Sequence, residues 1–117
     1  MPAFWRFAEI SDRMSWDSYP QLRDWRQYVG LAMTHDMYRT MKGGLPFLMI
    51  ESTPSNTNWQ QTPSLKKPGQ HRQEMLIAIG HGADSAMYFQ WRKSLGAFEK
   101  THGAVVDHEG TERTRVF

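Results

Sequence analysis

An α/β fold built on a parallel sheet is the architecture that these 117 residues predict. Residues 14–19, 47–50 and 86–91 are short, apolar or aromatic, and bounded by turn formers, as strands are. The middle segment, Phe47-Leu48-Met49-Ile50, is apolar on consecutive rather than alternate residues, the pattern of a strand covered on both faces. Between the three lie stretches with helical spacing, giving the order strand, helix, strand, helix, strand.

Taken in chain order, residues 1–12 read as the tail of a preceding helix and 14–19 as the first strand. Val29, Met33, Met37 and Met41 then recur every four residues, with Tyr38 beside them, so a helix over about 27–42 has one apolar side. Gly43-Gly44 stops it, because glycine accepts the left-handed conformation of a C-terminal cap. After the second strand, the Pro, Ser and Asn of residues 52–69 predict a long surface loop of the kind that carries function. Met75, Leu76 and Ile79 form a second stripe on a helix that starts near Pro68 and closes at Gly80 or Gly82. Residues 86–91 are the third strand, and 109–117 the approach to a further helix.

Crossover helices make the strands parallel, so their carboxyl ends share a rim that collects Asp17, Glu51 and Arg92. Sites in α/β folds are built at that end. Three strands and two helices leave sheet edges and helix faces uncovered, so these residues are expected to be a section of a larger fold, poorly folded alone.

Composition narrows the partners. Fourteen Lys and Arg against twelve Asp and Glu give a net charge of +2, with the signs interspersed and only Lys66-Lys67 and Arg92-Lys93 clustered, which argues against nucleic acid. The absence of cysteine excludes a disulfide framework and thiolate zinc sites, and fits a reducing, cytoplasmic compartment. The longest nearly unbroken apolar run, residues 45–50, is far short of the roughly 20 a membrane span needs, and Arg6 and Glu9 interrupt what would be the apolar part of a signal peptide. No membrane partner is expected.

Several residues could carry chemistry. Glu51 leaves a buried strand, where its surroundings can tune a carboxylate; an ion pair or a helix cap is the plainer role. Trp59 offers an indole to stack on a ligand or to anchor its loop. Glu99 and His102 share a face of a helical turn, but a di-iron site needs a second such pair that the sequence lacks. His102, Asp107 and His108 match no zinc spacing, and no metal or cofactor is expected. His35, His71 and His81 read as surface or capping residues on the helices. Arg92 either pairs with Glu51 across the rim or is solvated with Lys93.

Four stretches carry a family resemblance: Ser15-Trp16-Asp17-Ser18-Tyr19-Pro20; Glu51-Ser52-Thr53-Pro54-Ser55 with Asn58-Trp59-Gln60; Tyr88-Phe89-Gln90-Trp91-Arg92-Lys93-Ser94; and Glu99-Lys100 with His102 through His108. In this order, over residues 4–110, the chain resembles the catalytic barrel of glycoside hydrolase family 42, the β-galactosidases. The resemblance implies that residues 1–117 are a fragment of a (β/α)8 TIM-barrel domain, holding about its sixth to eighth strands. It makes Glu51 the nucleophile of a retaining hydrolase acting on terminal β-galactosides, and places Trp59, Glu99 and His102 in the galactose subsite. Asp17, Trp91 and Arg92 fall on motif positions at the rim without a defined role. Members of the family are often trimeric, so the resemblance extends the expectation to a homotrimeric parent. The family's acid/base follows an asparagine on the fourth strand, and no Asn-Glu pair occurs here, so the chain alone is expected to be inert. A galactose-binding module without turnover, or a fragment that completes a barrel with partner chains, are the competing functions.

Overall fold

A computed structural model describes residues 2–111. In chain order the elements are α1 (Pro2–Ile10), β1 (Ser15–Ser18), α2 (Trp25–Thr40), β2 (Phe47–Ser52), α3 (Gln70–Gly80), β3 (Ala83–Ala86) and a 3-10 turn, Phe98–Thr101. The strands form one parallel sheet in the order β1-β2-β3, so a three-stranded α/β unit stands as the spacing of strands and helices implied. The tail of the expected approach to a further helix, residues 112–117, lies outside the described residues. No helix among the described residues is long and apolar enough to cross a membrane.

Both ends of α2 follow from local chemistry. Asp24 caps it, its carboxylate accepting from the Arg26 amide at 2.8 Å. At the far end Gly43 and Gly44 take positive φ, +63° and +88°, and the Gly44 amide reaches the Arg39 carbonyl at 3.2 Å.

The core gathers Ala8, Met14, Met41, Phe47, Met49 and Ala78, with Trp16, Tyr38 and Met75 packed around it. Which helix faces it buries differs from the apolar stripes. On α2, Val29, Met33 and Met37 are exposed, while His35 and Leu31 are buried. His35 stacks on Phe47 at 5.2 Å and meets the edge of Trp16 at 5.1 Å, and Tyr38 lies flat on Trp16 at 5.3 Å. Planar rings fit against the sheet, and a column of flexible methionines does not displace them. On α3, Leu76 and Ile79 are exposed and the buried residues are His71, Glu74 and Ala78. His35 and His71 are therefore interior residues, not surface or capping ones. His81 does cap α3: its amide donates to Ile77, and its Nδ1 contacts Asp36 Oδ1 at 3.0 Å.

The third strand is also displaced. It occupies Ala83–Ala86, not residues 86–91. Gly82, at φ +96°, turns the chain into the sheet directly behind α3, and a side chain there would meet Arg39 Cδ at 2.8 Å. The segment that enters is small and polar, Ala-Asp-Ser-Ala, and so lacks the apolar signature of a strand. The aromatic stretch after it runs on beside β2 outside the regular ladder, with Met87 donating to Met49 and Phe89 to Ser52.

Pairing between β1 and β2 shifts once: Trp16 faces Met49, but Asp17 faces Glu51, which leaves Ile50 as an extra residue. The buried positions of β2 shift with it, from Phe47 and Met49 to Ser52. Strict alternation would send Glu51 after Phe47 and Met49 into the helix-covered core; the bulge takes it off that face.

His35 makes a pH prediction. Burial, then the neighbouring His81, lowers its pKa from 6.5 to about 4, with Asp36 opposing. Below pH 6.5 the unfolded chain binds a proton that the folded chain refuses until about pH 4, so stability is lost as pH falls through that window. The thermal midpoint should drop over this range, and drop less in His35→Phe.

Candidate active site

Five pieces of chain meet at the carboxyl end of the sheet. Tyr19 follows β1, Glu51 is the penultimate residue of β2, Trp59 lies on the loop beyond it, and Phe89 follows β3. Glu99 sits on the 3-10 turn, and His102 ends it. These six line a hollow of about 350 Å3.

The loop after β2 is anchored more deeply than a surface loop. Ser52, Thr53, Pro54 and Thr57 are buried, which corrects the expectation that 52–69 lies on the surface throughout. Its backbone is held by main-chain and amide bonds to the last segment: Gly103 N–H donates to the Asn56 carbonyl at 2.7 Å, and Asn56 Nδ2 donates to the Thr101 carbonyl at 3.0 Å. Gly103 is required by that approach, since a Cβ there would sit 2.7 Å from the Asn56 nitrogen.

Asn58 organises the polar wall. Its amide donates to the Phe98 carbonyl at 2.7 Å and to Glu99 Oε2 at 3.0 Å, and its Oδ1 lies 3.1 Å from His102 Nδ1. Glu99 Oε2 is also 3.6 Å from that nitrogen. Asn58 thus fixes both side chains, and the Nδ1 proton belongs on the bond to its oxygen. Burial holds the His102 pKa below the ordinary value, against the Glu99 and Glu51 carboxylates and the Phe89 backbone. The ring is set between aromatic neighbours, edge-on to Phe89 at 5.1 Å and to Tyr19 at 6.1 Å.

Tyr19 is the neighbour of Glu51. Its hydroxyl pKa is pushed up first by burial, then by the charge of Glu51 and by a hydrogen bond to it, then by Asp17 and Glu99. It therefore stays a protonated phenol beside the carboxylate. Tyr19 meets Trp59 edge-to-face at 5.4 Å, and its carbonyl accepts from Gln60 Nε2 at 3.1 Å. The Trp59 indole is 62% exposed, which leaves a broad apolar surface open over the hollow.

Glu51, Trp59, Glu99 and His102 thus converge as a set. Asp17, Trp91 and Arg92 are not among the residues lining the hollow. Asp17 is exposed beside Glu51 in the sheet, and reaches the site through its charge on Tyr19. Trp91 is exposed. Arg92 does not pair with Glu51: its Nε and Nη2 donate to the His108 carbonyl at 3.1 and 2.6 Å, and Lys93 pairs with Asp107 at 3.2 Å. Residues 91–93 hold the last segment by the Arg92–Val106 bridge. No three His, Cys, Asp or Glu side chains are grouped to hold a metal among the described residues.

Tyr19 and Phe89 line the hollow and Asn58 brackets its polar wall; all three stand within the motif stretches, but only the fold shows what each touches.

This geometry belongs to a known group of proteins. Residues 2–117 match the family model of glycoside hydrolase family 42, described as β-galactosidase. The chain belongs to glycoside hydrolase family 42. Within that family it is 48% identical to the β-galactosidase Pbg of Clostridium perfringens and 51% identical to the β-galactosidase BglY of Alicyclobacillus acidocaldarius, in each case over 97% of this chain and 17% of the relative. A crystal structure of a cold-adapted β-galactosidase from a Rahnella species superposes with a TM-score of 0.88 at 54% identity, and a catalytic mutant of Gan42B from G. stearothermophilus with 0.89 at 44%; both cover 97% of this chain and 17% of the other. The chain therefore spans about one sixth of the length of these family 42 proteins, and its three parallel strands correspond to part of their TIM barrel.

The close packing at Gly103 is testable. Gly103→Ala should destabilise the protein by about 1–3 kcal/mol through overpacking against Asn56. Chemical denaturation of the two forms checks it.

Proposed function

We propose that this chain is the nucleophile-bearing section of a retaining β-galactosidase, one fragment of its catalytic TIM-barrel domain holding about the sixth to eighth strands. The observation that carries the reading is the convergence of Glu51 with Trp59, Glu99 and His102 in one hollow. Exposed apolar residues on all three helices, among them Phe7, Ile10, Met33 and Leu76, support further barrel elements packed around it.

In this mechanism a Glu51 oxygen attacks the anomeric carbon while the C1–O bond to the leaving group breaks. A second carboxyl group, roughly 5–5.5 Å away in retaining enzymes, protonates the departing oxygen. Water then attacks C1, gives its proton to that second group and breaks the bond to Glu51, so the anomeric configuration is retained. Tyr19, a protonated phenol beside Glu51 in the hollow, orients it for attack. The indole of Trp59 packs on the apolar face of the sugar, and Glu99 with His102 bonds its hydroxyls. Glu99 already accepts from Asn58, an arrangement that suits a hydroxyl acceptor better than the proton donor. The acid/base comes from outside these residues, and the isolated chain is inactive. A trimeric, cytoplasmic parent belongs to the same reading, supported by the resemblance and by the absence of cysteine.

The test is a chimera in which this chain replaces the matching segment of the Clostridium relative. It should release chromophore from a nitrophenyl β-galactoside, and Glu51→Ala should lower kcat by about 10^4-fold or more. Wild-type turnover by Glu51→Ala, or turnover by the purified 117-residue chain alone, overturns the proposal. In the same chimera, Trp59→Ala should raise KM by about tenfold, roughly 1.4 kcal/mol of sugar contact. An unchanged KM would take the indole out of the subsite. Calorimetric galactose binding by the isolated chain, lost in Trp59→Ala, would favour a binding module instead.

A further inference from the structure

Two opposite charges that the proposed chemistry leaves unused lie buried under the Glu51 loop. Lys66, near the end of that loop, contacts Glu74 on α3, and the two side chains are only 4% and 0% exposed. Burial pulls the Lys66 pKa down and the Glu74 pKa up, and in each case the partner's charge opposes it. His71, one turn earlier on α3, is kept neutral to about pH 4, first by burial and then by the charge of Lys66.

Such a pair is a poor way to gain stability. Removing two ions from water costs several kcal/mol each, and apolar side chains of similar volume commonly hold a fold as well or better. What an apolar pair cannot supply is the second bond that Lys66 makes: Nζ donates to the Thr53 carbonyl at 2.6 Å. Thr53 stands two residues beyond Glu51. Its hydroxyl donates to the Asn56 carbonyl at 3.1 Å, and that same carbonyl accepts from Gly103 next to His102. The ammonium therefore connects the rigid α3 to the backbone that carries the nucleophile and, one step on, to the far wall of the hollow.

We infer that Lys66, clamped by Glu74, is a positioning residue for Glu51: it ties the strand end to α3 so that the carboxylate is held in line for attack. The inference rests on the galactosidase reading for its kinetic consequence, but its structural part stands apart from turnover.

The decisive variant is the double substitution Lys66→Met with Glu74→Leu in the same chimera, since either single change strands a buried charge and can prevent folding. The double variant should keep its thermal midpoint within a few degrees of the parent. Its kcat should fall at least tenfold with KM within about twofold, and covalent labelling of Glu51 by a 2-deoxy-2-fluoro-β-galactoside should slow in proportion. Amide hydrogen exchange over residues 52–56 should accelerate at least tenfold. A double variant with parental kcat and parental exchange would overturn the inference, and so would loss of KM alone. Should the unsubstituted chimera prove inactive, the galactosidase reading fails, and the exchange rates still decide the tie: acceleration upholds it and unchanged protection refutes it.

Discussion

The site depends on one extra residue. Ile50 interrupts the pairing of β1 with β2, and from that point the side chains of β2 change faces. Before it, Phe47 and Met49 fill the core beneath the helices; after it, Ser52 takes the buried side and Glu51 reaches the hollow with Tyr19. A flawless ladder would be better bonded, but it would bury a carboxylate among methionines, and desolvation of an unpaired charge outweighs one ladder bond many times over. The same irregularity makes the strand end a place where the backbone needs outside support, and Lys66, Asn56 and Gly103 provide it.

A second theme is that polar side chains occupy much of the interior while apolar ones stand outside. His35, His71, His102 and Glu74 are fully or almost fully buried, whereas Met33, Leu76 and Ile79 are more than half exposed. Neither ring nitrogen of His35 has a hydrogen-bond partner among the described residues, so that imidazole packs as a neutral aromatic disc between Trp16 and Phe47. The outward apolar faces make sense in a barrel, where each helix has neighbours on both flanks as well as the sheet beneath it.

The motif residues divide into two groups by what their neighbours demand. Glu51, Trp59, Glu99 and His102 are held by other loops at the hollow, with Asn58 as the common bracket. Arg92 and Lys93 are consumed by the segment at 106–108, to which they bond. A guanidinium near a rim pairs with the nearest well-placed acceptor, and here a main-chain carbonyl sixteen residues away meets that geometry before any carboxylate does.

The sequence by itself determined the class and the order of parts: consecutive apolar residues at 47–50, glycine stops at 43–44, and helical spacing between strands are local signals, set within a few residues of chain. The motif residues that mark family 42 are legible in the same way, as four short stretches of chain. Tertiary structure decided the rest. That β3 is the small, polar 83–86 follows from Gly82 delivering it against β2, which is a contact and not a composition. That α2 buries His35 instead of its methionines follows from ring packing on Trp16 and Phe47. That Tyr19 and Asn58 serve Glu51, Glu99 and His102 could be learned only from the fold, since these partners lie tens of residues apart in sequence and proximity between them is created by the sheet.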